Sequence, residues 1–120
     1  MHAVRSPYVL IVEDDPDVRV VLAIALADQY RVETAATGQE AVAKAQQETP
    51  DVLVLDWSLP DMSGDELIAK LGPGFDSMGR VVVSGISGLG GLAGRIGAVA
   101  CPKPCTIEKL VAAIEKALNA

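Results

Sequence analysis

Short apolar runs alternate with helix-like segments along this chain. Tyr8–Val12 (YVLIV) is apolar throughout, as a strand buried on both faces would be. Asp15-Pro16 follows, an N-cap candidate with proline at the first helical position. Val18, Val21, Leu22, Ala25 and Leu26 then recur at spacings of three and four, which marks one face of a helix. Val20, Ala23 and Ile24 lie off that stripe. A well-buried helix is the expectation, and a docking face is the alternative. Arg31–Ala35 reads as a short alternating strand. Thr37-Gly38-Gln39-Glu40 matches a capping box and opens a helix to about Gln47, which Pro50 ends.

Residues 51–56 (DVLVLD) form a second buried run. Residues 63–71 predict a short helix stopped by Gly72-Pro73-Gly74, and residues 81–83 a third buried strand. Residues 85–97 carry Gly85, Gly88, Gly90, Gly91, Gly94 and Gly97. Glycine inside a helix costs about 1 kcal/mol relative to alanine, so any helix here should be short, frayed or missing. Residues 98–101 read as a strand. Thr106 can cap a last helix lined by Leu110, Val111, Ile114 and Leu118.

The repeat is (βα)5, an α/β doubly wound, three-layer sandwich with a parallel five-stranded sheet and an irregular fourth helix. One domain over residues 1–120 is expected. The end just after the last helix fits a stand-alone protein or a piece of a larger regulator or hybrid kinase. In such sheets ligands bind at the carboxyl ends of the strands, where strand order reverses. The chemistry sits there: Glu13-Asp14-Asp15 after the first run, Asp56 ending the second, Ser84 after the third, and Lys103 after the last.

Singly, each has a plain structural reading. The acidic trio favours a helix N-terminus, Asp56 suits a turn, Ser84 is a small hydroxyl, and Lys103 could be a solvated loop residue. Together they make a coherent site. Clustered carboxylates repel unless a cation lies between them, and Mg²⁺ takes one or two carboxylates plus a phosphate. A carboxylate can also act as a nucleophile and form an aspartyl-phosphate. An ammonium and a hydroxyl would neutralise and hold the transferred oxygens.

Composition narrows the alternatives. The chain is 50% hydrophobic and 22% charged, which is globular rather than disordered. Its net charge of −6 supplies no basic face for nucleic acid. Tyr8, Tyr30, Trp57 and Phe75 are too few for a base-stacking platform. The longest apolar run, residues 20–27, falls short of the about 20 residues that span a bilayer. No secretory signal is evident, so a cytoplasmic location is expected. Cys101 and Cys105 are expected as free thiols in a reducing compartment, with a redox pair as the less favoured alternative. Trp57 is expected to border the site, and His2 is assigned no role.

VLIVEDDPDV, VLVLDWSLPDMSG, VVVSG and PKP resemble, in order and spacing, the signature blocks of the response-regulator receiver family across nearly the whole chain. The resemblance implies a flavodoxin-like sheet of order 2-1-3-4-5. It implies that Asp56 accepts a phosphoryl group from a phosphohistidine of a histidine kinase or histidine phosphotransfer protein. Asp14, Asp56 and the Ser58 backbone carbonyl would ligate Mg²⁺, with Glu13 acting through a bound water. Ser84 would hydrogen-bond the phosphoryl oxygens and Lys103 would pair with them. The Lys103–Pro104 bond would be cis. The family also places a docking face for the phosphodonor beside the active edge.

Three departures stand out. Ala100 occupies a position where the family usually has an aromatic. Ser84 and Lys103 are only 19 residues apart. The segment between them is rich in glycine. Intact chemistry with unconventional output follows, and phosphorylation is expected to order residues 85–97 for an unknown downstream partner. A phosphorylation-independent interaction module is the main alternative. A dehalogenase-type phosphatase would want an acid where Ser58 stands. A flavodoxin-like FMN site would be repelled by Glu13-Asp14-Asp15.

Overall fold

A computed structural model describes residues 6–119; His2 lies outside them. The elements are β1 (Tyr8–Val12), α1 (Pro16–Leu26), β2 (Arg31–Ala35), α2 (Gly38–Gln47), β3 (Val52–Asp56) and α3 (Gly64–Leu71). After a 3₁₀ turn over Gly72–Ser77 come β4 (Gly79–Ser84), α4 (Leu89–Ile96), β5 (Val99–Pro102) and α5 (Ile107–Leu118). All strand pairs are parallel and the order is β2-β1-β3-β4-β5. The (βα)5 sandwich of order 2-1-3-4-5 is therefore the observed fold.

Strand side chains alternate between two faces, and the core divides accordingly. Val9, Ile11, Val52, Val54 and Val81 pack with Leu26 of α1 and Leu110 and Ile114 of α5. Leu10, Val12, Leu53 and Leu55 pack with Ala41 of α2 and Leu67 of α3. Leu10 is fully buried in the second layer, so Leu10→Ala should cost about 2–5 kcal/mol, read as a lower urea midpoint.

Local chemistry sets the helix starts. Asp15 accepts hydrogen bonds from the Asp17 and Val18 amides. Thr37, Ser63 and Thr106 each accept from the amide three residues on. Glu40 reaches back to the Ala36 amide at 2.6 Å, one residue ahead of the cap.

The glycine-rich segment resolves into an eight-residue α4. Gly88 (φ 79°) and Gly97 (φ 68°) lie in the left-handed region and bound it at each end. Leu89 and Ala93 pack on Val82. From β4, Arg80 stacks on the Phe75 ring and donates to the carbonyls of Phe75, Ile96 and Gly97, fastening the end of α4. Residues 85–97 thus divide into a loop, residues 85–88, and the short helix expected, α4.

Two sequence expectations are corrected. The first helix is not well buried: Val18 and Val21 of the expected core stripe are exposed, as are Val20 at 57% and Ile24 at 73%. Only Leu22 and Leu26 of α1 pack in the large core. Val18 and Leu22 face a cleft of about 630 Å³ that they line with Cys105 and Leu110, and Val20, Val21 and Ile24 join no core cluster because no neighbouring element covers that side of α1. The second correction concerns the cysteines, which are not free thiols. Cys101 and Cys105 form a disulfide with a Cα–Cα distance of 5.9 Å.

Candidate functional site

The parallel sheet delivers the candidate residues to one edge. Past β1, the Glu13 amide donates to the Ala35 carbonyl at 2.9 Å. Past β3, the Trp57 amide donates to Val83, and past β5 the Lys103 amide donates to the Ser84 carbonyl at 2.9 Å. These ladder bonds fix where Glu13, Asp56, Ser84 and Lys103 leave the strands. β1 and β3 are adjacent although β2 separates them in the chain, so the acids converge where strand order reverses.

Asp56 is 4% exposed. One of its oxygens accepts the Ser58 amide at 3.0 Å, and the other accepts Lys103 Nζ at 3.0 Å. Ligand oxygens of Glu13, Asp14 and Asp56 lie within 4.8 Å of one another. Glu13 is buried and Asp14 is exposed. Burial pushes the Glu13 carboxyl up to about 7; Asp14 and Asp56 add to the rise, and the Asp15 amide opposes it. Lys103 is raised by its hydrogen bond to Asp56, with burial acting in the opposite direction. Three hard oxygen donors beside one another, one of them reluctant to ionise, suit a small divalent cation such as Mg²⁺.

Ser84 is buried at the end of β4, and its Oγ accepts the Ile86 amide at 3.2 Å. That contact holds the hydroxyl at the start of the 85–88 loop. Trp57 directly follows Asp56. Its ring packs on α3, where a Cβ at Gly64 would sit 2.2 Å from it, and between the α2–α3 and α4 cores. The Lys103–Pro104 bond is cis.

Two supporting residues had no legible sequence signal. Arg19 of α1 donates to the carbonyls of Glu13 and Asp14 at 3.1 and 3.0 Å, clamping the acidic turn. Asp61 accepts the amides of Gly38 and Gln39 at 2.8 and 3.0 Å, and those bonds lower its pKa. It thereby ties the loop after β3 to the N-terminus of α2. Both act on backbone groups, five and six residues away for Arg19 and 22 and 23 for Asp61, which side-chain spacing does not reveal.

The response regulator receiver domain family matches residues 9–115. Probable transcriptional regulatory protein TcrX of Mycobacterium tuberculosis is 33% identical over 107 residues, 86% of this chain and 46% of that protein. Hybrid signal transduction histidine kinase D of Dictyostelium discoideum is 43% identical over 67 residues, 56% of this chain and 4% of the kinase. The chain thus spans less than half the length of either relative. Among solved structures, the chemotaxis response regulator CheY4 of Vibrio cholerae superposes with a TM-score of 0.82 at 29% identity, covering 93% of this chain and 98% of the other. A CheY-like receiver domain protein from Methanospirillum hungatei gives 0.84 at 31% identity, covering 94% of each chain. The protein belongs to the response regulator receiver domain family, a class of two-component signalling domain.

Proposed function

We propose that this receiver domain is a phosphorylation-dependent switch whose acceptor is Asp56. The observation that carries the reading is the buried Asp56 carboxylate held between Lys103 and the Glu13–Asp14 pair. One oxygen of Asp56 attacks the phosphorus of a phosphohistidine on a histidine kinase or phosphotransfer protein. The N–P bond breaks, the imidazole leaves and an aspartyl-phosphate forms. Glu13, Asp14, Asp56 and the Ser58 carbonyl would hold Mg²⁺, which when bound neutralises charge on the phosphoryl oxygens. Lys103 supplies a further positive charge and Ser84 a hydroxyl donor. The domain catalyses only its own phosphorylation and dephosphorylation, and a change at the 85–88 loop alters the surface offered to a downstream protein. Residues 1–120 act as one receiver unit in the cytoplasm, either alone or within a larger regulator. No helix among the described residues is long and apolar enough to cross a membrane. The chain's negative balance gives no reason to assign it nucleic acid.

Incubation with acetyl phosphate should add one phosphoryl group to the intact mass with Mg²⁺ and none with a chelator. Borohydride reduction should then convert residue 56 to homoserine. No gain in mass, together with no Trp57 fluorescence change in beryllofluoride and Mg²⁺, would sink the proposal in favour of an interaction module.

Val20 and Ile24 are exposed on α1, the helix that starts at this edge, and suit an apolar face on the phosphodonor. Ile24→Lys should leave the unfolding free energy, read by urea titration, within about 0.5 kcal/mol of native. It should slow phosphotransfer from a phosphohistidine protein while sparing the reaction with acetyl phosphate, as parallel time courses would show.

A further inference from the structure

The disulfide brackets the lysine of the proposed site. In Cys101-Pro102-Lys103-Pro104-Cys105 the two sulfurs enclose three residues, with Lys103 in the middle. Cys101 lies in β5 inside the large core. Cys105 is only half-buried, directly precedes the Thr106 cap of α5, and lines the cleft that also admits Asp56 and Lys103. One sulfur is therefore anchored in the sheet, and the other ties the start of α5 to it. Lys103 sits on that bridge with its side chain 45% exposed. Among the described residues its hydrogen bonds are to the Ser84 carbonyl through its amide and to Asp56 through Nζ.

We propose that Cys101–Cys105 is a redox-modification site whose closure sets Lys103 over Asp56 and so governs the rate of phosphorylation; this rests on Asp56 being the acceptor. The partner chemistry is a low-molecular-weight disulfide. The Cys105 thiolate attacks one sulfur of that disulfide and releases one thiolate. The Cys101 thiol loses its proton and attacks Cys105 Sγ, releasing the second. Two protein thiols are oxidised to one disulfide and the reagent takes up two electrons as two thiols. A dithiol reductant reverses the exchange, entering at Cys105 because Cys101 is buried. Opening the bridge frees Cys105 and the start of α5 from β5, and the lysine between the two cysteines loses a fixed path to Asp56.

The test uses the whole chain poised in glutathione buffers from reducing to oxidising. One portion is denatured and alkylated so that mass counts the free thiols. Another receives acetyl phosphate and Mg²⁺, and its phosphorylation rate is read by intact mass. The reduced form should react about tenfold more slowly than the oxidised, within the roughly 10²-fold that misplacing a positioned group can cost. Cys105→Ser, checked for native circular dichroism, should react at the reduced rate in every buffer. Equal rates across a clear change in thiol count would overturn the inference while leaving Asp56 as acceptor. Thiols that alkylate freely in every buffer would overturn it too. Absence of phosphorylation in both redox forms would instead remove the acceptor reading, and the rate gate with it.

Discussion

Asp56→Asn should take up no phosphoryl group, and in chelator it should be more stable than the native domain by about 1 kcal/mol. The first half follows from chemistry, since an amide oxygen is not a nucleophile of this kind; the Ser58 amide and Lys103 bond different oxygens of Asp56, so the single amide oxygen keeps only one of those two bonds. The second half is a contest of charges. At an effective dielectric of 20, a 3.0 Å attraction to Lys103 is worth about 5–6 kcal/mol, and each repulsion within 4.8 Å at least about 3–4 kcal/mol. The pair terms nearly cancel. Lys103 is also the more solvated partner, so screening reduces its share. What remains is the several kcal/mol of desolvation a buried carboxylate pays, which the amide largely avoids. Mg²⁺ should reverse the order: binding at 100 times its dissociation constant stabilises the native form by about 2.7 kcal/mol and the variant by less. Urea midpoints in EDTA and in Mg²⁺ test both signs. A variant weaker than native in EDTA would mean that the Lys103 pair outweighs burial. A phosphoryl group on the variant would move the acceptor elsewhere.

The parts of this domain legible in the sequence are those encoded by period and by local hydrogen bonding. β1 and β3 were apparent because a strand covered on both faces must be apolar at every position. Asp15, Thr37 and Thr106 cap their helices through amides two or three residues away, so spacing alone reveals them. The strand-end rule placed Glu13, Asp14, Asp56, Ser84 and Lys103 on one edge, and the structure brings the acids and the lysine together there. Periodicity misread α1, because an apolar stripe reports what could be buried and not what a neighbouring helix covers. It also left α4 undecided. That helix ends through Arg80, which bonds carbonyls 16 and 17 residues onward, a contact that no local pattern encodes. Compartment statistics misjudge the cysteines, which the β5–α5 junction brings together.

The output side follows from the same structure. Ala100, in place of an aromatic, leaves the α4 core built on Val82, Leu89 and Ala93, with Trp57 reaching it from the end of β3. Trp57 adjoins Asp56 in sequence and packs against Gly64 of α3. A change at Asp56 therefore has a bulky neighbour leading toward α3 and α4, and the Ser84–Ile86 contact is a second connection to the 85–88 loop.

Lys103→Met should produce the opposite metal signature to Asp56→Asn while also crippling the reaction. Methionine keeps an unbranched stem in a place already nearly half open to solvent, so packing changes little. What is lost is the cation against Asp56 Oδ2. Removing one preorganised charge from a transferring phosphoryl group should lower the rate about 10²–10³-fold. With the ammonium gone, Asp56 is a buried carboxylate beside two others, so the variant should be less stable than native in chelator. The same loss leaves a more negative pocket, so Mg²⁺ should bind more tightly, and its stabilising effect should exceed that in the native domain. Trp57 fluorescence titrated with Mg²⁺ gives the affinity, and acetyl phosphate time courses at saturating metal give the rate. A slower reaction with tighter Mg²⁺ binding assigns Lys103 to the phosphoryl group. A slower reaction with weaker binding would make the lysine a support for the acidic turn.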